Sequence, residues 1–181
     1  MEDKKIGLFY GSDTGCTEEI VSDLIKLWDS PNLDVYEGSD LAVEKFDKYE
    51  ILIIGLSTWY DGDLQSDWDD FFDDFKTVDF TGKTIAIFGL GDQIGYPEYF
   101  VDGIGIIADV VFKNGGNIVG YWPTAGYRFT ESKALYNDNL FYGLAIDEDN
   151  QSELTYERLE KWIGKVKREI EFLYSVDERE F

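Results

Sequence analysis

Three short stretches carry the residues able to do chemistry. The first, "GSDTGCT" (Gly11–Thr17), sets three hydroxyls, Ser12, Thr14 and Thr17, around Gly15, with Asp13 and the thiol of Cys16 among them. It follows the apolar run Ile6–Tyr10 directly. Hydroxyls and free backbone N–H groups at a helix start bind a phosphate without side-chain cations. Gly15 allows close backbone approach to such an anion, and Asp13 is expected to point away from it. The lysine ending of a nucleoside-triphosphate loop and the G-x-G-x-x-G dinucleotide pattern are both missing. Read alone, the stretch is also open to interpretation as an ordinary helix cap.

The other two stretches are "STWYDGD" (Ser57–Asp63) and "GDQIGYP" (Gly91–Pro97). Each follows an almost continuously apolar run, and together they supply Trp59, Tyr60 and Tyr96. A single loop aromatic is usually packing. Aromatics on two neighbouring loops, facing a phosphate turn, suggest a flat ring held between them. A phosphate at one end and a planar ring at the other describe a mononucleotide.

Positioning these loops requires strands that end where they begin. The predicted strands are Lys4–Tyr10, Leu33–Tyr36, Ile51–Leu56, Thr84–Leu90 and Asn117–Trp122. Runs such as "ILIIGL" and "TIAIFGL" suit strands buried on both faces. Between them lie helical stripes: Ile20, Leu24, Leu27 and Trp28; Trp68, Phe71, Phe72 and Phe75; Phe100, Ile104, Ile107 and Val111. A long last stripe joins Leu159, Trp162, Ile163, Val166, Ile170 and Leu173, with Thr155 as its expected cap. A short helix is expected near Leu41–Tyr49. This alternation predicts a doubly wound α/β parallel sheet, in which ligands sit beyond the carboxyl ends of the strands. After the fifth strand, "PTAGYRFTESKALYNDNL" has turn signals but no helical stripe, and apolar "FYGLAI" follows. That pattern reads as a strand interrupted and then completed. Residues 1–173 are expected to form one domain and 174–181 a frayed tail.

Composition narrows the function. Thirty-eight acids against sixteen bases give a formal net charge of −22 among 181 residues. That balance argues against nucleic-acid binding, whose phosphates need Lys/Arg counter-charge, and suits either steering toward basic partners or solubility alone. Histidine is absent and cysteine occurs once, which removes Ser-His-Asp and Cys-His catalysis and an internal disulfide. Any redox chemistry would fall to a cofactor. No membrane-length apolar stretch or signal-peptide layout is evident, so a cytoplasmic location is expected.

The ordered set S-x-T-G-x-T at Ser12–Thr17, "STW" at Ser57–Trp59, "GDQIGY" at Gly91–Tyr96, "GYWPTAGYRF" and "GLAIDEDNQ" resembles the flavodoxins of the long-chain type. The resemblance implies a flavodoxin-like five-stranded parallel sheet in order 2-1-3-4-5, its fifth strand interrupted by an insertion over 121–141. It also implies one non-covalent FMN in a low-potential one-electron carrier that uses the semiquinone/hydroquinone couple. By matching position, Ser12, Asp13, Thr14, Gly15, Cys16 and Thr17 would surround the phosphate. Trp59 and Tyr96 would cover the ring faces. Thr58, Tyr60, Asp61, Gly62, Leu90, Gly91 and Asp92 would lie near the flavin, and Asp149 near the ribityl chain. No metal site is implied. The implied partners are a flavodoxin/ferredoxin-NADP reductase-type donor and downstream oxidoreductases with basic docking surfaces, met by a monomer that binds neither nucleic acid nor membrane. An FMN-dependent quinone reductase is the alternative on this fold. A receiver-type signalling domain would need an acid ending the third strand, where Gly55-Leu56-Ser57 stands.

Two further expectations concern tuning. Carboxylates at Asp61, Asp63 and Asp92, with no Lys or Arg in the three loops up to Tyr96, would disfavour a reduced, anionic flavin. Tyr60–Asp61 is the peptide that would have to flip beside the ring, which glycine would make easier. Cys16 stands where relatives often carry a polar residue. It is read as a filler rather than a redox nucleophile, because a phosphate nearby disfavours thiolate.

Overall fold

The computed structural model describes residues 4–177. The first strand, β1 (Ile6–Tyr10), is wholly buried and leads through the Gly11–Gly15 loop into α1 (Cys16–Trp28). Then come β2 (Leu33–Glu37), a 3-10 turn over Gly38–Asp40, the short α2 (Val43–Phe46) and β3 (Ile51–Trp59). A two-residue strand, β4 (Asp63–Leu64), turns back on β3 before α3 (Ser66–Phe75). Next are β5 (Thr84–Leu90), α4 (Asp102–Lys113) and β6 (Asn117–Val119). The chain continues through β7 (Trp122–Pro123), β8 (Leu135–Asn137), β9 (Leu140–Phe141) and β10 (Leu144–Ile146) to the long α5 (Ser152–Asp177).

The main sheet has the expected 2-1-3-4-5 order. β2, β1, β3 and β5 lie side by side in parallel, and the fifth place is shared by β6 and β10, both parallel to β5. Ladder hydrogen bonds therefore satisfy the backbone of strands too buried to reach water. One core layer gathers Phe46, Trp68, Phe75, Phe100 and Ile104 on the α3/α4 face; the other gathers Leu24, Trp28, Leu159, Trp162 and Val166 beneath α1 and α5.

The acidic "DWDDFFDDF" segment forms α3 with Trp68, Phe71 and Phe75 buried and Asp69, Asp70, Asp73 and Asp74 exposed, a solvated face behind an apolar stripe. Gln65 caps this helix by accepting from the Trp68 N–H at 3.3 Å. The approach into Gln65 explains Gly11, where a Cβ would lie 1.8 Å from Gln65 Oε1.

Four expectations are corrected. The fifth strand stops at Val119 rather than Trp122, because Gly120 turns away at φ +78°. Its N–H donates to Glu169 (2.7 Å), and its carbonyl accepts from the Trp162 indole (2.8 Å). Thr155 lies inside α5 and donates to Glu148, since the helix begins at Ser152. Phe100 is buried but precedes α4, whose first turn is fixed by Gly103 N–H donating to Thr58 Oγ1 at 2.9 Å. Residues 174–177 of the expected tail continue α5, and 178–181 lie outside the described residues. The interruption of the fifth strand also holds a three-stranded antiparallel sheet, β7-β9-β8, with no counterpart in the helix and strand periods of the sequence.

Candidate functional site

The carboxyl ends of β1, β3 and β5 converge on a cleft of about 390 Å³. Thr14 and Cys16 come from the first loop and Thr58, Trp59 and Tyr60 from the second. Leu90, Gly91, Asp92 and Tyr96 come from the third, and Asp149 from beyond the completed fifth strand. Surface clefts of about 510 and 540 Å³ exist elsewhere, but neither touches the first loop or Trp59.

The first loop is built from its own residues. Ser12 Oγ accepts from the Gly15 N–H at 3.1 Å, which closes the turn. Gly15 has φ +90°, and a Cβ there would meet nothing within 4 Å. The backbone conformation, not crowding within the chain, is what requires glycine. α1 begins at the next residue, so the N–H groups of Cys16 and Thr17 are helix-end donors without an intrahelical acceptor. Thr17 is buried beneath them. Asp13 faces away, as expected. Its carboxylate accepts from Gln65 Nε2 (2.9 Å), from the Ser66 hydroxyl and from the Ser66 N–H (3.4 Å), which caps α3. Burial pushes its pKa up, but the Ser66 and Gln65 donors outweigh that and hold the carboxyl below its usual range. The Trp59 indole Nε1 is buried without a partner at hydrogen-bond distance among the described residues.

The second loop is a tight turn at the end of β3. Gly62 N–H donates to the Trp59 carbonyl at 3.1 Å. Gly62 has φ +93°, and Tyr60 is left-handed at φ +42°, a conformation costly for a side chain with a Cβ. Tyr60 is 64% exposed at the mouth of the cleft, whereas Trp59 is half-buried. Asp61 and Asp63 are exposed and do not line the cleft.

The third loop is held by its own aspartate. Asp92 Oδ1 accepts from the N–H groups of Ile94 (2.9 Å) and Gly95 (2.7 Å) and from Asn150 Nδ2 (2.8 Å). Burial raises the Asp92 pKa, but the Gly95, Asn150 and Ile94 donors prevail and lower it. Tyr96 N–H donates to the Asp92 carbonyl at 3.0 Å, which sets the tyrosine at the rim. Beneath the loop, the fully buried Asp147 accepts from Gln93 Nε2 (2.6 Å) and from the Asn150 N–H (3.0 Å).

Ser57, Tyr99 and Glu148 also line the cleft and were absent from the sequence-derived set. Ser57, just past the expected strand end at Leu56, and Glu148, two residues beyond β10, are both within reach of the strand-end rule. Tyr99 carries no such signal. The acids bordering the cleft are therefore Asp92, Glu148 and Asp149 rather than the expected Asp61 and Asp63 with Asp92. Burial first, then the charges of Asp92 and the buried Asp147, raise the Asp149 pKa above the ordinary value. No Lys or Arg lines the cleft among the described residues. The site thus joins a cation-free loop of amide and hydroxyl donors to a slot between aromatic loops, under a negative field.

Comparisons with known proteins agree with this architecture. The flavodoxin family model matches residues 8–162. Flavodoxin 1 of Escherichia coli strain K12 is 49% identical over 164 residues, 91% of this chain and 93% of that protein. The flavodoxin of Nostoc sp. PCC 7120 is 46% identical over 166 residues, covering 92% and 97% of the two chains. The crystal structure of Fusobacterium nucleatum flavodoxin bound to flavin mononucleotide superposes with a TM-score of 0.87 at 33% identity, covering 92% of this chain and 98% of that one. The strand order, the three converging loops and these matches give one conclusion: the chain belongs to the flavodoxin family.

Proposed function

We propose that this chain carries electrons one at a time on a single non-covalently bound FMN, at low potential, between redox proteins. The observation that carries the reading is the cleft itself, which brings hydroxyl and helix-end donors and two aromatic loops to the switch point of a flavodoxin sheet. The residues present suit FMN. The Thr14 hydroxyl and the N–H groups at the start of α1 suit a phosphate, and Trp59 and Tyr96 offer two ring faces. The backbone at Leu90–Asp92 supplies polar groups between them. The other loop residues, Ser12, Gly15, Gly62 and Asp13, shape the turns.

Bound FMN supplies an electron-accepting ring system that the chain itself lacks. The protein's part is to hold that ring away from water and to bias its potential. Asp92, Glu148 and Asp149 border the cleft, with no Lys or Arg among its walls in the described residues. The raised pKa of Asp149, caused first by burial and then by Asp92 and Asp147, supports a setting unfavourable to added negative charge. Charge added to bound FMN would meet the same field, which supports a low potential for its last reduction.

Partners are read from the surface. With a net charge of −22, the chain suits basic docking faces, met through a small transient interface. The exposed Tyr60 lies at the cleft mouth, where contact would form. A pyridine-nucleotide-linked flavodoxin reductase on the input side, several oxidoreductases on the output side, a monomeric single-domain chain and a cytoplasmic location complete the proposal. Among the described residues, no helix is long and apolar enough to cross a membrane.

The test is FMN titration of the purified chain followed by addition of NADPH, with and without a flavodoxin reductase. The expected result is one FMN per chain, bleached only when the reductase is present. Rapid bleaching by NADPH alone would instead place the chain among the quinone-reductase-like enzymes.

A further inference from the structure

The hollow of about 510 Å³ noted above shares no wall residue with the cofactor cleft. It is lined by Gln93 and Ile94 of the third loop, by residues 126–128, and by Asn150 and Gln151 ahead of α5. Its charge is the reverse of the cleft's. Arg128 lines it and no carboxylate does among the described residues, whereas the cleft has three acids and no Lys or Arg. Asp92 and Asp147 stand behind the same wall, but Gln93 and Asn150 turn their amide donors onto these carboxylates.

A second arginine, Arg158 in the second turn of α5, stands against three of the lining residues. Its guanidinium carbon lies 4.2 Å from the centroid of the Tyr127 ring, and its Nη1 donates to Gln151 Oε1 at 2.8 Å. Gln151 Nε2 in turn donates to the Gly126 carbonyl at 2.9 Å, and the Tyr127 hydroxyl donates to the Ala145 carbonyl at 2.6 Å. One face and one edge of the guanidinium are therefore fixed before any ligand arrives. Gly126 leaves the remaining edge uncovered: a Cβ there would stand 3.8 Å from Nη2, with nothing else within 4 Å. Arg128 is anchored through its N–H on Gln93 Oε1, and its side chain is exposed. Ion pairs among the described residues all use lysine, so neither arginine has a carboxylate partner there, in a chain with thirty-eight acids.

We infer that this hollow is a second anion site, which takes the phosphate dianion of a small phosphomonoester between Arg128 and Arg158. A planar guanidinium fork matches phosphate oxygens two at a time, and a stacked fork loses little freedom on binding. Two cations balance one dianion, whereas a single carboxylate would leave one arginine uncompensated. Ile94, 57% exposed, and the edge of Tyr127 give the rim an apolar surface for the organic part of the ester. The hollow binds through side-chain charge, the opposite of the cation-free Ser12–Thr17 loop, so its affinity falls as salt rises.

Because neither arginine lines the cofactor cleft, the test does not depend on the FMN reading. Phenyl phosphate, inorganic phosphate and acetate are titrated into the isotope-labelled chain, with and without FMN, and backbone amide shifts are followed. Phenyl phosphate gives saturable shifts at the Gly126, Arg128 and Gln151 amides in both forms. Arg128→Gln and Arg158→Lys, the second of which keeps the charge and loses the fork, each weaken it about tenfold. Lys26→Met removes an equal charge on α1 and changes the affinity by less than about twofold. Acetate binds at least about tenfold more weakly than phenyl phosphate. Shifts confined to residues 14–17, equal weakening by Lys26→Met, or acetate binding as tightly as phenyl phosphate would overturn the site. Inorganic phosphate binding as tightly as phenyl phosphate would overturn the organic ester as its ligand. A wild-type chain that bound no FMN would defeat the cofactor reading, and the FMN-free titration would still decide the hollow.

Discussion

The loop Ser12–Thr17 and the loop Gly91–Pro97 serve opposite ends of one cleft and are built on opposite plans. The first closes on itself, with Ser12 Oγ bonded to the Gly15 N–H and the start of α1 immediately behind it. Its one long side-chain contact, Asp13 to Gln65 and Ser66, points away from the cleft. The other adds to its own bonds, from the Ile94 and Gly95 amides to Asp92, a set of distant partners: Asn150 on Asp92, Asp147 on Gln93, and the amides of residues 130 and 131 on Pro97. A locally built loop makes a fixed donor set for an anion. A loop held from outside can be adjusted from outside, which suits the part of the site that sets a potential.

The sharpest way to break the first plan is Gly15→Ala. With open space at the Cβ, the cost is backbone strain alone at φ +90°, about 1–2 kcal/mol. Denaturant unfolding of the FMN-free chain measures it, and FMN affinity falls with it. Tyr96→Ala acts on the second plan by removing one aromatic wall. It weakens FMN binding by about 0.5–1.5 kcal/mol and raises the potential of the second one-electron step, read by fluorescence titration and redox titration. A fall in that potential would count against the stacking account.

Tyr60→Gly relieves a left-handed residue at φ +42° but loosens the unfolded chain. The two terms nearly cancel, so stability of the FMN-free protein rises by less than about 1 kcal/mol. The smallest effect is that of Asp149→Asn, and it has a sign in pH. The Asp149 pKa is raised above its ordinary 3.8, so the folded chain holds this proton more tightly than the unfolded one. The resulting cost is absent below the ordinary value and grows as pH rises through the raised one. Thermal melts therefore show the variant more stable at neutral pH and equal to the wild type in acid; a gain that persisted in acid would point to packing instead.

The same contrast explains what the sequence could reveal. Strand and helix periods, with loops read at strand ends, were enough to find a parallel sheet and the three converging loops, because those signals are local; the strand order came only with the resemblance to the flavodoxins. The Ser12–Thr17 loop was legible for the same reason, and the structure adds that Gly15 sits at φ +90°. Long-range choices were not legible. Gly120 ends β6 early because α5 offers Glu169 and Trp162 to its backbone, a partnership nearly fifty residues away in sequence. The β7-β9-β8 sheet has strands of two or three residues, too short for any period to show. Asp61 and Asp63 were chosen as neighbours of Trp59 in sequence. The turn at Tyr60–Gly62 carries them outward, and Glu148 and Asp149 border the cleft from a different strand end.

A cleft that holds FMN in a negative, aromatic-walled setting would drive its last reduction to low potential. Anaerobic redox titration of the FMN complex, followed by absorbance, tests it most directly. The account predicts two separate one-electron steps, with the second well below that of free FMN under the same conditions. A single two-electron step at the potential of free FMN would contradict it.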